Sequence, residues 1–446
     1  MNLVPGHRLL AAAAPIALML GAMVVAAPVA GATSPSSPSQ PGVIYVSNTS
    51  SSIPGCSSTP YSTIQPAIDA ARPGQTVFVC PGTYPTTFTI TKSNVTVTGA
   101  GSATVIDPTS AAVNAVDLDT EQPIVAIAYV PPGVTGANVT SLTIRGTGLT
   151  NDFPWPNCTD DFIGVLYQRS SGSVVGDAVD GIALPTALYG CQDGNAIYVQ
   201  TGSVPSAHVS IELTSVAGYD KNAITCNDSY VTCTVLFDST QGNGPTSRIA
   251  QNGIQVAFGA VGTIAYDSVS GNESTVPVPT GIGTGVLVFG GCGGELSAPV
   301  DVVGNVVSNN DIGIYSFNGN EWCNGASTQP TDNVIAGNVV SKSDGDTNRA
   351  DFDGYTSYQA GIVEYGNGDT VEDNVITGTL VHGVDTAYGP EKSAGGPYLV
   401  PITATTTLNA HFRDNVYDGK SLTATPPRHH IYFWGHGAFG FSGHGF

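Results

Sequence analysis

From Leu142 to Asn415 two short apolar segment types alternate along the chain. One has the form x-Gly/Ala-Ile/Val-x, with its small residue at Gly164, Ala196, Ala223, Gly253, Gly285, Gly313, Gly361 and Gly383. The other has Asn followed by two apolar residues at Asn305, Asn338 and Asn374, and recurs at Leu142, Asp177, Thr214, Asp238, Asp267 and Asn415. Successive small-residue markers lie 22 to 48 residues apart. The segments are short, β-branched and bounded by Gly, Asn, Asp and Ser, which predicts strands, and no long run of 3.6-residue periodicity predicts helical repeats. A unit that recurs this way buries its apolar face only by stacking on its neighbours, so the pattern predicts a solenoid with one coil per repeat. Strand residues alternate sides. The Ile or Val after each small residue therefore points inward, and the next one outward, giving a column of Tyr198, Thr225, Gln255, Leu287, Tyr315, Val363 and Asp385 spaced about 4.8 Å per coil.

Upstream, residues 62–71 (STIQPAIDAA) predict a short amphipathic helix. Ile64, Ala67, Ile68 and Ala71 share its buried face, and Pro73-Gly74 ends it. Strands follow in QTVFVCPGTY, TFTI, NVTVTGAG and ATVID. A helix at the open end of a solenoid covers exposed strand edges. The run TIQPAIDAARPGQTVFVCPGTY, then NVTVTGAGSATVID, then coils such as NVVSNNDIGIYSF, resembles the right-handed parallel β-helix proteins of the pectin-lyase-like superfamily over residues 58–420. The resemblance implies the fold. It does not select an activity, because the superfamily includes polysaccharide lyases, hydrolases and epimerases as well as tail proteins and adhesins without chemistry.

Composition narrows the partners. Charged residues are 11% of the chain and the formal net charge is −21, a surface that repels nucleic acid and anionic membranes. Residues 1–32 carry His7 and Arg8 before an apolar run and end in Ala-Gly-Ala, which predicts a cleaved secretory signal; a retained anchor is the other reading. Residues 33–41 read as a Ser/Pro-rich linker, 42–424 as the β-helix domain and 425–446 as a His/Gly/aromatic tail. The tail either covers the solenoid end through residues 431–434 or binds metal through His429, His430, His436 and His444. In an exported chain, 8 Cys without Cys-x-x-Cys spacing predict disulfides rather than zinc. Nearest-neighbour pairing is expected: Cys56–Cys80, Cys158–Cys191, Cys226–Cys233 and Cys292–Cys323.

The long insertions between the second segment type and the next small-residue marker, at 142→164, 177→196, 238→253, 267→285 and 338→361, all leave from one edge. They carry Asp152, Asp160, Asp161, Asp193, Glu273, Asp344, Asp346, Asp351 and Asp353, together with Phe153, Trp155, Tyr189, Tyr355 and Tyr358. An acidic, aromatic wall beside a long outward face predicts a groove for a chain-like ligand, with Trp155, Tyr315, Tyr355 and Tyr358 as substrate-binding residues. The polar residues that open the second segment type read as a structural ladder in tight turns. Asn195, Asn222 and Asn252 read as a second ladder.

The sharpest candidate for catalysis joins Asp351 and Asp353 to Glu364, His382 and Asp385 on two coils expected to be adjacent. Paired carboxylates are what glycoside hydrolysis requires, and an inward Glu364 would be a perturbed acid. A structural role for all of them is the competing reading. Asp344 and Asp346, in SDGDTNRADFDG, could hold Ca²⁺ without EF-hand spacing, or be a solvated loop. Beside the polygalacturonase family of the same superfamily, His382-Gly383 matches the Gly-His-Gly element only in part, and Asn195, Asn222 and Asn252 stand where acids belong, so that activity is not supported. The lyases and epimerases act on uronates with Lys or Arg near the substrate, and no basic cluster exists here. The reading is a secreted, monomeric, all-β right-handed parallel β-helix that binds, and in one version cleaves as a hydrolase or lyase, an extracellular polysaccharide, neutral rather than anionic. Its cofactor is either none or Ca²⁺. The alternative is a non-catalytic surface, adhesive or structural protein.

Overall fold

The computed structural model describes residues 42–49, 52–150, 158, 160–202, 204–274, 282–292, 294–320, 326–342, 351–352, 355–356, 358–378, 398–403, 407–417 and 419–421, all within the unit Ser39–Phe446. The strands stack into three long sheets, two of twelve strands and one of eleven, whose neighbours along each stack are parallel apart from short antiparallel additions at Ala115–Val116 and Lys420–Ser421. Each coil visits the three sheets in turn. One such coil is Ala207–Glu212, Ser215–Ala217 and Asn222–Asn227, each strand paired with its counterparts one coil before and one after. This is the right-handed parallel β-helix that the alternating segments predict.

Inward side chains form the core as columns. Ile197, Ile224, Ile254, Val286, Ile314 and Ile362 follow one another in register in the third sheet and are all fully buried. Each such residue is worth about 1.5–3 kcal/mol of burial. The preceding small residue has a packing reason. A Cβ on Gly253, Gly285 or Gly313 would lie 2.4, 2.7 or 2.5 Å from a Cγ1 of Val269, Val307 or Val340 in the second sheet.

The turn from first to second sheet is two residues long in most coils and repeats the same way. Its first residue has positive φ, as at Leu213 (54°), Phe237 (58°), Tyr266 (61°) and Asp373 (53°). The residue after it joins the ladder. Backbone N–H groups of Thr214, Asp238, Asp267 and Asn305 donate to the side-chain oxygens of Asp238, Asp267, Asn305 and Asn338 at 2.7, 2.7, 2.8 and 2.9 Å. Each Asn also donates Nδ2 to a first-sheet carbonyl, as Asn305 does to Ile264 at 3.0 Å. The structural reading of these residues holds.

The N-terminal helix is Ile64–Ala70, with Ile64, Ala67 and Ile68 buried as expected, and it packs on the first strands of the solenoid. A strand the sequence reading did not assign, Val43–Val46, precedes it and opens the first sheet. Disulfides join Cys56–Cys80, Cys158–Cys191 and Cys226–Cys233 as expected. Cys323, the expected partner of Cys292, lies outside the described residues.

One expectation is corrected. The strand that follows Tyr358–Tyr365 in the third sheet is Tyr398–Thr403, with Val363 opposite Thr403, and not a strand at Gly383. The run YLVPIT is β-branched and apolar, and it is the last strand of this sheet among the described residues, a place where a Pro is tolerated.

Candidate binding face on the third sheet

The outer face of the third sheet is built in rows. Tyr198, Thr225, Gln255, Leu287, Tyr315 and Val363 stand in register on six successive coils, the column that strand alternation predicts. Beside it runs Ile163, Asn195, Asn222, Asn252, Thr284 and Ile312. On the other side, Asn227, Ala257, Phe289, Phe317 and Tyr365 follow one another. The face therefore changes character along the axis. Its last coils are aromatic, with Phe289 stacked on Phe317 at 5.4 Å and Phe317 on Tyr365 at 4.8 Å. Its earlier coils are polar.

The polar half is one hydrogen-bonded sheet of side chains. Tyr129 donates its phenol proton to Gln168 (2.6 Å), Gln168 donates to Gln200 (2.6 Å), and Gln200 donates to the Tyr198 hydroxyl (3.2 Å). Asn227 also donates to that hydroxyl (3.3 Å), Gln255 to Asn227 (3.0 Å), and Asn252 to both Gln255 (3.2 Å) and Asn222 (2.9 Å). Three buried atoms of this surface have no hydrogen-bond partner among the described residues: Asn195 Oδ1, Asn222 Nδ2 and Thr225 Oγ1. Buried polar atoms are ordinarily paired, so three together on one face mark a place where an outside group completes the network.

The expectation of an open, flat groove floor is corrected. Tyr198, Thr225, Gln255, Tyr315 and Val363 are 0–7% exposed, and only Leu287 in the column is half-buried. Long amides and rings on coils this close interlock over the shorter residues between them. At the N-terminal end a hairpin also lies across the face: Ala115 and Ile124 pack against Ile163, Leu166 and Tyr198.

Carboxyls surround the Tyr198 hydroxyl. Burial pushes the phenol well above its ordinary range, and Asp117, Asp228 and Asp161 add to that, so it stays protonated. Burial, with Asp117 and Asp160 nearby, raises half-buried Asp161 to about 7. Burial and Asp161 hold Asp193 well above the carboxylate range, although Asp193 Oδ1 accepts from the Phe162 N–H at 2.8 Å. Burial and Asp119 raise Asp228 to about 7, and Asp228 Oδ2 accepts from Thr201 N and Gly202 N at 2.8 Å each. These are proton-holding acids, able to donate as well as accept at neutral pH.

Beside the face, on the loop edge, is a cavity of about 450 Å³ lined by Gly181, Leu184, Thr186, Tyr189 and Arg248. Arg248 lies over the Tyr189 ring at 4.6 Å and pairs with Asp220 at 3.2 Å. Asp220 also accepts from Leu184 N at 2.5 Å, tying the cavity wall to the coils.

The residues singled out in the sequence are placed as follows. Glu364 is inward and fully buried, within the influence of the Asp369 carboxyl and opposite Ser316, so it faces the core rather than a ligand. Burial, then the Asp369 carboxyl, pushes its pKa well up, the perturbed acid that the register implies. Tyr315 is on the outer face, 3% exposed, with its ring tilted against Phe317. Asp351 and Tyr355 lie on an antiparallel pair, Asp351–Phe352 with Tyr355–Thr356, and Tyr358 opens the strand Tyr358–Tyr365. Asp353, His382, Asp385, Trp155, Asp344 and Asp346 lie outside the described residues. Two acids of the expected wall are turned inward: Asp193 is 4% exposed, and Glu273, 1% exposed, pairs with buried Lys342. The sequence reading did not connect Asp117, Asp119 and Asp228 with the face. Asp117 and Asp119 lie far from the small-residue markers in the chain, and only the fold brings them beside Tyr198 and Asp228.

No protein-family model matches the chain, and no curated protein does. Among solved structures, DFA-IIIase from Arthrobacter chlorophenolicus A6 aligns at 12% identity with a TM-score of 0.42, over 80% of this chain and 88% of that one. The A-module of the Azotobacter vinelandii mannuronan C-5 epimerase AlgE4 aligns at 14% identity with a TM-score of 0.37, over 80% and 95%. A pectin methylesterase in complex with a hexasaccharide aligns at 11% identity with a TM-score of 0.30, over 85% and 90%. These likenesses concern fold.

Proposed function

We propose that this is a secreted β-helix protein that binds a neutral polysaccharide against the polar half of the third sheet's outer face, centred on Tyr198. The observation that carries the reading is the set of unsatisfied buried atoms on Asn195, Asn222 and Thr225, within a surface otherwise made of paired amides and a phenol. Sugar hydroxyls both donate and accept, so a surface of neutral amides with proton-holding acids at its edge suits them. The chain's formal charge of −21 disfavours an anionic ligand on this acid-rimmed face. The cavity beside Tyr189 would take the next sugar unit along the chain.

Hydrolysis is the second reading, favoured by one observation: Asp161 is half-buried at the rim with its pKa raised to about 7, the property a general acid needs. Asp351, Asp353, His382 and Asp385 are the competing catalytic set.

Binding of soluble polysaccharides by calorimetry, with reducing-sugar release measured in parallel, tests both. Tyr198→Phe removes the hydroxyl on which Gln200 and Asn227 converge, and affinity is expected to fall about tenfold, which is about 1.4 kcal/mol. Absence of binding across the panel, or unchanged affinity in Tyr198→Phe, overturns the proposal. Sugar release that survives Asp161→Asn but is lost in Asp351→Ala or Asp385→Ala moves the chemistry to the other set. Binding without release leaves a non-catalytic, adhesive protein.

A further inference from the structure

The hairpin that crosses the face runs from Ala115–Val116 to the start of Pro123–Val130, the two strands pairing antiparallel. Its tip is preformed. Asp117 Oδ1 accepts from Asp119 N (3.0 Å), Thr120 N (2.7 Å) and Thr120 Oγ1 (2.9 Å). The hairpin is attached to the face by polar contacts: Gln168 donates to Val116 O (2.8 Å), Gln200 donates to Asp117 Oδ2 (2.8 Å), and Leu118 N donates to Gln200 Oε1 (3.2 Å). The tip then reaches the next coil at Gly202. A Cβ there would stand 2.9 Å from Leu118 Cβ and 3.3 Å from Asp119 Oδ1, so only glycine lets the tip sit down. The N–H of the same glycine donates to Asp228 Oδ2 at 2.8 Å, so the Asp119 and Asp228 carboxyls converge on one glycine, each acting on the other's acidity.

Two carboxyls bond each other only while one carries a proton. We propose that the hairpin is a lid over the Tyr198 face whose latch is the single proton shared by Asp119 and Asp228, so that losing this proton releases the tip and admits ligand to the buried surface. This rests on the reading of that face as the binding site.

Burial and Asp119 place Asp228 at about 7, and burial also raises Asp119, which puts the release close to neutrality. Below it the pair is bonded. Above it two like charges face each other beside Gly202. The other ionisable groups that act on the latch or feel it are Asp117 on the hairpin and Arg169 on the adjoining coil, beside Asp119, and the phenol of Tyr198, beside Asp228. Arg169 attracts Asp119 and donates Nε to Thr201 O at 2.6 Å, which softens the repulsion. The carboxyl of Asp117 acts against the charged form of Asp119 and favours release once the proton is lost.

Hydrogen exchange of the full chain without ligand tests the latch, so the result does not depend on whether a glycan binds. Corrected for intrinsic exchange rates, protection of the amides of Leu118, Asp119 and Thr120 is expected to fall about tenfold or more between about pH 5.5 and 8.5. In Asp228→Asn the amide oxygen still accepts from Thr201 and Gly202 while Nδ2 donates to ionised Asp119, so protection should stay high at both pH values. Asp119→Asn, at the hairpin tip, should do the same and serves if the first variant folds poorly. An equal fall in the variants, or no fall in the wild type, overturns the proposal.

Discussion

A carboxylic acid stands where an amide belongs at three rungs of the ladder. Asp177, Asp238 and Asp267 occupy the position of Asn305, Asn338 and Asn374, each with Oδ1 accepting a backbone N–H and Oδ2 without a partner among the described residues. In the Asn rungs that second atom is an N–H aimed at a first-sheet carbonyl, and a protonated Asp supplies an equivalent O–H. Burial raises Asp267 to about 8 despite the Asp238 N–H that favours its charged form. The folded pKa lies above the unfolded value of about 4, so the native state holds a proton that the unfolded chain releases between those values. The contribution is complete below about pH 4 and is lost as pH rises through about 8. Asp267→Asn should therefore be close to neutral at pH 5 and stabilising by about 1–3 kcal/mol at pH 9, measured by urea unfolding at both. Equal stability of the two proteins at pH 9 would remove the protonated-rung explanation.

In a single strand, the marker Gly does the placing. The third-sheet strand Ile312–Gly319 brings Gly313 against the second sheet, where a Cβ would meet Val340 Cγ1 and Gly361 O at 2.5 Å each. Gly313→Ala overpacks this crossing and is expected to cost about 1–3 kcal/mol in unfolding free energy. Two earlier coils carry Ala196 and Ala223 there, so the penalty comes from the local neighbour and not from strand geometry. The same strand puts Tyr315 and Phe317 on the outer face, where the ring stack from Phe289 to Tyr365 makes the last coils apolar. The polar half of the face, not this half, carries the side-chain hydrogen-bonding groups.

Across the whole molecule, the raised acids act in one direction. Asp161, Asp177, Asp228 and Asp238 sit near 7 and Asp267 near 8, with Asp193 and Glu364 also raised. Each binds its proton more tightly folded than unfolded, so stability falls as pH rises from about 4 to about 8. The melting temperature should be higher at pH 5 than at pH 8, and a maximum at pH 8 or above would contradict the assignment of these carboxyls as protonated. Among the described residues no helix is long and apolar enough to cross a membrane, and three disulfides tie neighbouring segments, which suits export.

Alternation of two strand types, the small residue before each inward Ile or Val, and the polar residue opening the next strand are local patterns. They sufficed for the coil, the in-register outward column from Tyr198 to Val363, the Asn/Asp ladder and the shared edge of the long insertions, because a stacked strand repeats its environment every coil. The enclosure of that column was decided in three dimensions. The hairpin comes from residues 115–124, and Asp119 meets Asp228 across Gly202 through contacts with no sequence period. The inward turn of Asp193 and Glu273 was settled there as well: a carboxyl in a loop reads as solvated until packing gives it a backbone N–H or a lysine. So was the step from Tyr358–Tyr365 to Tyr398–Thr403, since any β-branched run of the right length can fill the next position on a stack and only packing selects which one does.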